Sequence, residues 1–203
     1  MKILLIYGVV VISAFIVQIG VRVLKRIRLN NIYTSLAAAV LIYCIMISLQ
    51  VSNWLISDCL IIIISILAGF VIGNSISAIS TLIVFCTTAG IVDFISFTGG
   101  LSAKIIEDYS KGHNLILQNL CISIPIDGKI VPLLGIGDLF VLGIILRSFY
   151  KIGFENWLVS LIPIAGLLIA LILGLIVHGI YALPIMGGVT IFFLLTKIYI
   201  IKK

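Results

Sequence analysis

The feature that most constrains this chain is a series of seven apolar runs, each near 20 residues long. They cover residues 3–21, 32–51, 54–72, 76–98, 132–149, 156–177 and 180–197. A helix rises about 1.5 Å per residue, so runs of this length cross the roughly 30 Å hydrocarbon layer of a bilayer. The pattern predicts an all-α polytopic membrane protein with about seven transmembrane helices.

Composition excludes several other classes of protein. Apolar residues make up 63% of the chain, charged residues 10%, and the mean hydropathy is +1.39. A soluble domain is about half apolar and about a quarter charged, so this chain has too few polar side chains to cover a water-facing surface. It also lacks the basic surface of a nucleic-acid-binding domain. The four cysteines form no CxxC pair, and we expect neither a metal nor an organic cofactor.

Lysine and arginine are unevenly divided between the two sides that alternating spans define. One side has nine of them and the other has four: Arg22, Lys25, Arg26, Arg28, Arg147, Lys151, Lys197, Lys202 and Lys203 against Lys2, Lys104, Lys111 and Lys129. Positively charged connections stay in the cytoplasm. We therefore expect the N-terminus outside, the C-terminus in the cytoplasm, and the one long connection, residues 99–131, outside.

Two aspartates, Asp93 and Asp138, lie well inside apolar runs. A carboxylate in hydrocarbon costs at least a few kcal/mol, so it usually marks a functional site. Asp93 is six residues before Gly99 and Asp138 is six residues after Pro132. Each should therefore lie about 9 Å below the same end of its helix, on consecutive antiparallel spans.

Two carboxyl groups at one depth in a medium of low dielectric constant tend to share a single proton. One can then activate a water molecule while the other, protonated, donates to a peptide carbonyl, as in aspartic proteases. The pair by itself equally allows a second interpretation, in which each aspartate binds a helix polar group or conducts protons or ions.

Irregular backbone is predicted at the same depth. Gly135 and Gly137 precede Asp138 and should let a neighbouring backbone approach. In the last span, Pro184 should remove one helix hydrogen bond, and Ala182 should leave space beside it. The sequence thus places backbone polar groups beside the two carboxylates.

The ordered set of these segments resembles the presenilin and signal peptide peptidase family of GxGD intramembrane aspartyl proteases. The matching segments are Ile91-Val92-Asp93-Phe94, GIGDLFVLGIILRSF at 135–149 and ALPIMGG at 182–188, within about the C-terminal 130 residues. The resemblance implies that Asp93 and Asp138 are catalytic and that Gly135, Gly137, Ala182, Leu183 and Pro184 bind substrate. The predicted orientation is similar to that of the signal peptide peptidase branch.

These observations predict a single integrated membrane domain with an N-terminal three-helix scaffold, residues 1–75, and a catalytic four-helix part, residues 76–203. The expected substrates are transmembrane proteins or signal-peptide remnants in the bilayer, without a nucleic-acid partner. Two alternatives remain: a prepilin or preflagellin-type GxGD peptidase, which cuts on the cytoplasmic side, and an ion-coupled transporter or channel that uses the two aspartates.

The long connection contains a predicted β-hairpin. Leu120–Ile126 alternates in part, Asp127-Gly128 is a strong turn signal, and Lys129–Val131 follows. Pro125 and Pro132 should confine such a hairpin to edge pairing. We hypothesise that it lies over the aspartates and that one edge pairs with an unwound substrate helix; the alternative is a disordered loop.

Overall fold

The structure, a computed structural model, describes residues 2–49, 53–100, 119–126, 129–177 and 182–201. Within these ranges it is mostly helical and contains one small antiparallel sheet. The elements in chain order are α1 (Lys2–Leu24), α2 (Leu29–Ser48), α3 (Trp54–Gly73), α4 (Ile79–Gly99), β1 (Cys121–Ile126), β2 (Lys129–Gly135), α5 (Ile136–Ile152), α6 (Trp157–Val177) and α7 (Ala182–Ile201).

Five of the described helices are long and apolar enough to cross a membrane: α1, α2, α3, α4 and α7. This is fewer than the seven that the apolar runs predict. Helix α5 has 17 residues and carries Asp138, Arg147 and Lys151, and α6 contributes a shorter apolar stretch, Trp157–Leu173. The membrane character of the chain therefore rests on five helices.

The fifth apolar run starts as a strand and not as a helix. Residues Lys129–Gly135 form β2, and α5 begins only at Ile136. The prediction of a helix from residue 132 is wrong because a short apolar run fits a strand as well as a helix, and pairing with β1 decides between them. Pro132 is compatible with the strand because it lies at a position that needs no ladder donor.

The predicted hairpin is confirmed. Strands β1 and β2 pair from Ile126↔Lys129 to Cys121↔Gly135, with an irregularity between Ile122 and Ser123. The turn residues 127–128 lie outside the described part of the chain. The N–H of Ser123 is bonded to a helix instead of to β2. Backbone nitrogens alternate in direction along a strand, so those of Ser123 and Pro125 both point away from β2. The nitrogens of their partners, Pro132 and Ile130, point away from β1 in the same way.

The core lies between α3 and α5, which have the most extensive contact in the described bundle. Six apolar residues of α5 are completely buried, among them Leu142, Ile144 and Leu146. A Cβ placed on Gly69 of α3 would lie 2.9 Å from the Cα of Gly143. The two helix backbones therefore touch, which places the start of α5 firmly against α3.

The two ends of the bundle differ in charge. At one end, which we call the basic end, Arg147 donates to the Asn74 side chain (2.6 Å) and Lys151 donates to the Asn74 carbonyl (2.6 Å). Lys25 and Glu155 form an exposed ion pair that joins two loops at this end. The hairpin packs against α3 near Asp58, at the opposite end of that helix. We call this second end the hairpin end.

Candidate active site

Asp93 lies on α4, six residues before the helix ends at Gly99. Its side chain is half-buried, and the backbone N–H of Leu183 is directed at its carboxylate. Helices α4 and α7 pack closely just below: a Cβ on Gly90 would lie 3.3 Å from Pro184 Cα, and one on Gly187 would lie 3.1 Å from the Cys86 carbonyl oxygen. This close packing brings α7 within reach of Asp93.

Asp138 lies in the first turn of α5 and is also half-buried. Its Oδ2 accepts a hydrogen bond from the backbone N–H of Gly135 (3.1 Å). The expectation that Asp138 lies about 9 Å inside a helix is therefore wrong, because residues 132–135 form β2. The carboxylate instead stands where the strand turns into the helix, and the N-terminal end of a helix dipole favours a negative charge.

Asp93 and Asp138 lie on helices that contact each other, α4 and α5. The charge of the Asp93 carboxylate acts on Asp138 across that contact. The candidate site therefore contains two half-buried acids from separate helices. Each has a backbone N–H donor, which is Leu183 for Asp93 and Gly135 for Asp138. Neighbouring acids of this kind disfavour double ionisation.

The two glycines before Asp138 differ in their surroundings. A Cβ on Gly135 would lie 3.3 Å from Asp138 Oδ2, so the absence of a side chain leaves that oxygen room. Gly137 is exposed, and a Cβ there would meet nothing within 4 Å. The expectation that Gly137 admits a neighbouring backbone is wrong within the described chain.

Ala182, Leu183 and Pro184 begin the described part of α7. The expectation that Pro184 removes a helix hydrogen bond depends on residues 178–181, which lie outside the described part of the chain. The N–H directed at Asp93 belongs to Leu183. The ALP segment therefore lies beside Asp93.

A groove of about 320 Å³ opens between α4 and α7, beside Asp93. Its lining is almost entirely apolar and comprises Cys86, Thr87, Gly90, Ile91, Phe94, Pro184, Gly188 and Ile191. Phe94 follows Asp93 directly in the sequence, and Pro184 follows Leu183. The groove therefore adjoins the site at Phe94 and Pro184, and the Asp93 side chain itself is not part of the lining.

Asp58 contributes a contact that the sequence analysis missed. Its position near the start of α3 suggests a helix cap, but Asn53 occupies the cap position and accepts from the Ile56 N–H (3.4 Å). Both carboxylate oxygens of Asp58 accept instead from the Ser123 N–H in β1, each at 3.2 Å. The sequence shows an acidic residue about one turn from the end of an apolar run, and nothing in the run indicates its partner.

No group of three or more His, Cys, Asp or Glu side chains in the described ranges is arranged to hold a metal ion. Comparison of the chain with protein-family models, with curated proteins and with solved structures gave no match. The chemistry of the site therefore has to be argued from its own residues.

Proposed function

We propose that this protein is an intramembrane aspartyl protease that hydrolyses peptide bonds within transmembrane segments or signal-peptide remnants. The observation that carries the proposal is the packing of α4 against α5, which places Asp93 of one helix near enough to Asp138 of the other for their charges to interact. In a chain that is 63% apolar, two acids on contacting helices need a reason beyond packing. The resemblance of residues 91–94, 135–149 and 182–188 to the GxGD proteases supports the same function.

The proposed mechanism needs one proton shared by the two carboxyl groups. The ionised aspartate takes a proton from a water molecule, whose oxygen attacks the peptide carbonyl carbon, while the protonated aspartate donates to the carbonyl oxygen. The tetrahedral intermediate then collapses: the C–N bond breaks, and the departing nitrogen takes up a proton from the pair. Both aspartates are half-buried, so the surrounding helices keep the local dielectric constant at the pair low.

The groove between α4 and α7 supports a transmembrane substrate. Its apolar lining suits a lipid-embedded helix. The lining includes Phe94 and Pro184, which follow Asp93 and Leu183 in the sequence. Substrate helices that unwind near the cut are the preferred class, because helical hydrogen bonds otherwise hide the peptide bond.

The hairpin offers an edge for such an unwound segment. On the outer edge of β1, Ser123 already bonds to Asp58 and Pro125 has no N–H. On the outer edge of β2, Pro132 lacks an N–H, so Ile130 carries the donor that is left for a new strand. We propose that the substrate pairs with β2, the strand that leads directly to Asp138.

We propose that α5 and α6 also cross the membrane, which makes seven spans. Helix α5, with 17 residues, is about 26 Å long, and β2 supplies the remaining depth at the hairpin end. The basic end carries Arg147 and Lys151, which supports a cytoplasmic location for that end and an external location for the aspartates. The N-terminus would then be outside and the C-terminus in the cytoplasm.

The test is cleavage of a transmembrane reporter peptide by the purified protein in lipid vesicles, with products identified by mass spectrometry. Asp93→Asn and Asp138→Asn should each abolish cleavage while the helix content measured by circular dichroism is retained. Glu155→Gln is the matched control, because Glu155 is an exposed carboxylate at the basic end, and it should cut like the parent. Cleavage by either aspartate variant at the parent rate would refute the proposal, and ion-dependent flux without proteolysis would favour a transporter.

A further inference from the structure

The strongest unexplained contact lies between α3 and the hairpin. Ser123 is 1% exposed, and its N–H donates to both oxygens of Asp58. Its neighbours Ile122 and Ile124 are also buried. A buried backbone N–H without a hydrogen-bond partner is costly. Asp58 accepts from the Ser123 N–H, which has no partner in the two-stranded sheet.

The need for Asp58 follows from the register of the hairpin. Ser123 stands opposite Pro132, next to the irregularity at Ile122. In this outward position its N–H has no acceptor on β2. A side-chain acceptor from another element is therefore required if β1 is to be buried, and α3 supplies one.

The contact connects to the candidate catalytic pair over a short path. Strand β1 begins with the pair Cys121↔Gly135, and Gly135 donates to Asp138. Cys121 lies two residues before Ser123, which donates to Asp58, and opposite Gly135, which donates to Asp138. A movement of β1 away from Asp58 would therefore displace the strand partner of the residue that orients Asp138.

Helix α3 holds the other side of the same junction. Ser65 Oγ donates to the carbonyl of Ile136, the first residue of α5 (3.4 Å), and Gly69 lies against Gly143. Asp58 and Ser65 are two helical turns apart and so lie on one face of α3. That face contacts β1 at Asp58 and α5 at Ser65, and the start of α5 is fixed between them.

We propose that Asp58 is a positioning residue, which holds the hairpin against α3 through the Ser123 N–H and thereby orients Gly135 and Asp138 for catalysis. The inference rests on the proposed proteolytic function. The role assigned to Asp58 needs a hydrogen-bond acceptor and not a proton carrier.

The first experiment compares Asp58→Ala with Asp58→Asn, since asparagine keeps one acceptor oxygen. We expect kcat to fall about ten- to a hundredfold in the alanine variant, the factor that corresponds to the loss of one hydrogen bond to a charged group. The asparagine variant should lose less than about tenfold, and KM should stay near the parent value in both. Equal loss in the two variants would show that the charge matters, and parent-like kcat in Asp58→Ala would show that the contact does not; either result overturns the proposal.

Ser123→Pro provides an independent variant, because it removes the donor and leaves Asp58 intact. It should reproduce the fall in kcat of Asp58→Ala. If Asp58→Ala fails to fold, Ser123→Pro and Asp58→Asn still decide the question: parent-like kcat in Ser123→Pro, or complete loss in Asp58→Asn, would overturn the proposal.

The second experiment does not depend on proteolysis. In a chain whose other cysteines, Cys44, Cys59 and Cys86, are replaced, the maleimide reaction rate reports on the packing of Cys121. Asp58→Ala should raise this rate about ten- to a hundredfold and Asp58→Asn by less. The two readouts can disagree. If Asp58→Ala labels faster but the parent protein cleaves no reporter, Asp58 still anchors the hairpin and the proposed protease function is refuted. If labelling is unchanged but the parent protein cleaves the reporter, the anchoring role is refuted and the protease function stands.

Discussion

Gly90 of α4 lies against Pro184 of α7, so that a Cβ built on the glycine would stand 3.3 Å from the Cα of the proline. The contact is one turn below Asp93 on α4 and one residue after Leu183 on α7. It determines the separation of the two helices at the level where the Leu183 N–H faces the Asp93 carboxylate.

A larger side chain at position 90 should therefore push α4 and α7 apart beside Asp93. Gly90→Leu forces α4 and α7 apart, because the neighbouring atoms are backbone and cannot turn away, and cleavage should fall at least about tenfold. Gly90→Ala should cost less, since 3.3 Å requires a shift of only a few tenths of an ångström. Reporter cleavage measures both. Gly8→Leu is the control because a Cβ there meets nothing within 4 Å; equal rates in Gly90→Leu and Gly8→Leu would contradict the expectation.

The α3–α5 contact should be the most sensitive to added volume. A Cβ on Gly69 would lie 2.9 Å from Gly143 Cα and 3.0 Å from the Phe140 carbonyl oxygen. Gly69→Leu should therefore lower the free energy of unfolding by about 1–3 kcal/mol or more. The midpoint of thermal unfolding in detergent measures the effect, again against Gly8→Leu. A midpoint that matches this control would mean that the two backbones are not in contact.

Strand addition can be tested on the outer edge of β2. Ile130→Pro removes the outward N–H without breaking a ladder bond, so the hairpin should remain while cleavage slows. Ile122→Pro acts differently, because the Ile122 N–H is directed at β2; it should disrupt the hairpin and slow cleavage as well. Maleimide labelling of Cys121 separates the two variants, since only Ile122→Pro should accelerate it. Parent-like cleavage by Ile130→Pro would exclude pairing at this edge.

The orientation can be tested at two exposed positions at opposite ends of the bundle, Gly99 and Arg26. In cells or sealed vesicles that keep the native orientation, a membrane-impermeant reagent should label Gly99→Cys directly. It should label Arg26→Cys only after the membrane is permeabilised, because the basic end is expected in the cytoplasm. The native cysteines are replaced in both variants. The opposite pattern would place Asp93 and Asp138 toward the cytoplasm and would favour a prepilin-type peptidase.

Features encoded within one sequence window could be predicted. Runs of about 20 apolar residues determine the helices, since hydrocarbon and a buried core both select for them. The alternation before Asp127-Gly128 determines the hairpin, because turn chemistry and strand period act over a few residues. Asp93 and Asp138 could be recognised as unusual because each is an isolated acid in an apolar run. This holds whatever side chains they contact.

Contacts between distant segments could not be predicted in this way. Asp58 and Ser123 are 65 positions apart, and only the packing of the hairpin on α3 decides that this aspartate binds a strand instead of capping a helix. The same holds for the Leu183 N–H, which is directed at Asp93 because Gly90 lets α4 and α7 approach. Local sequence determined which groups carry charge or lack a partner, and the tertiary structure decided which of them meet, because those pairings depend on helix separations that no single segment encodes.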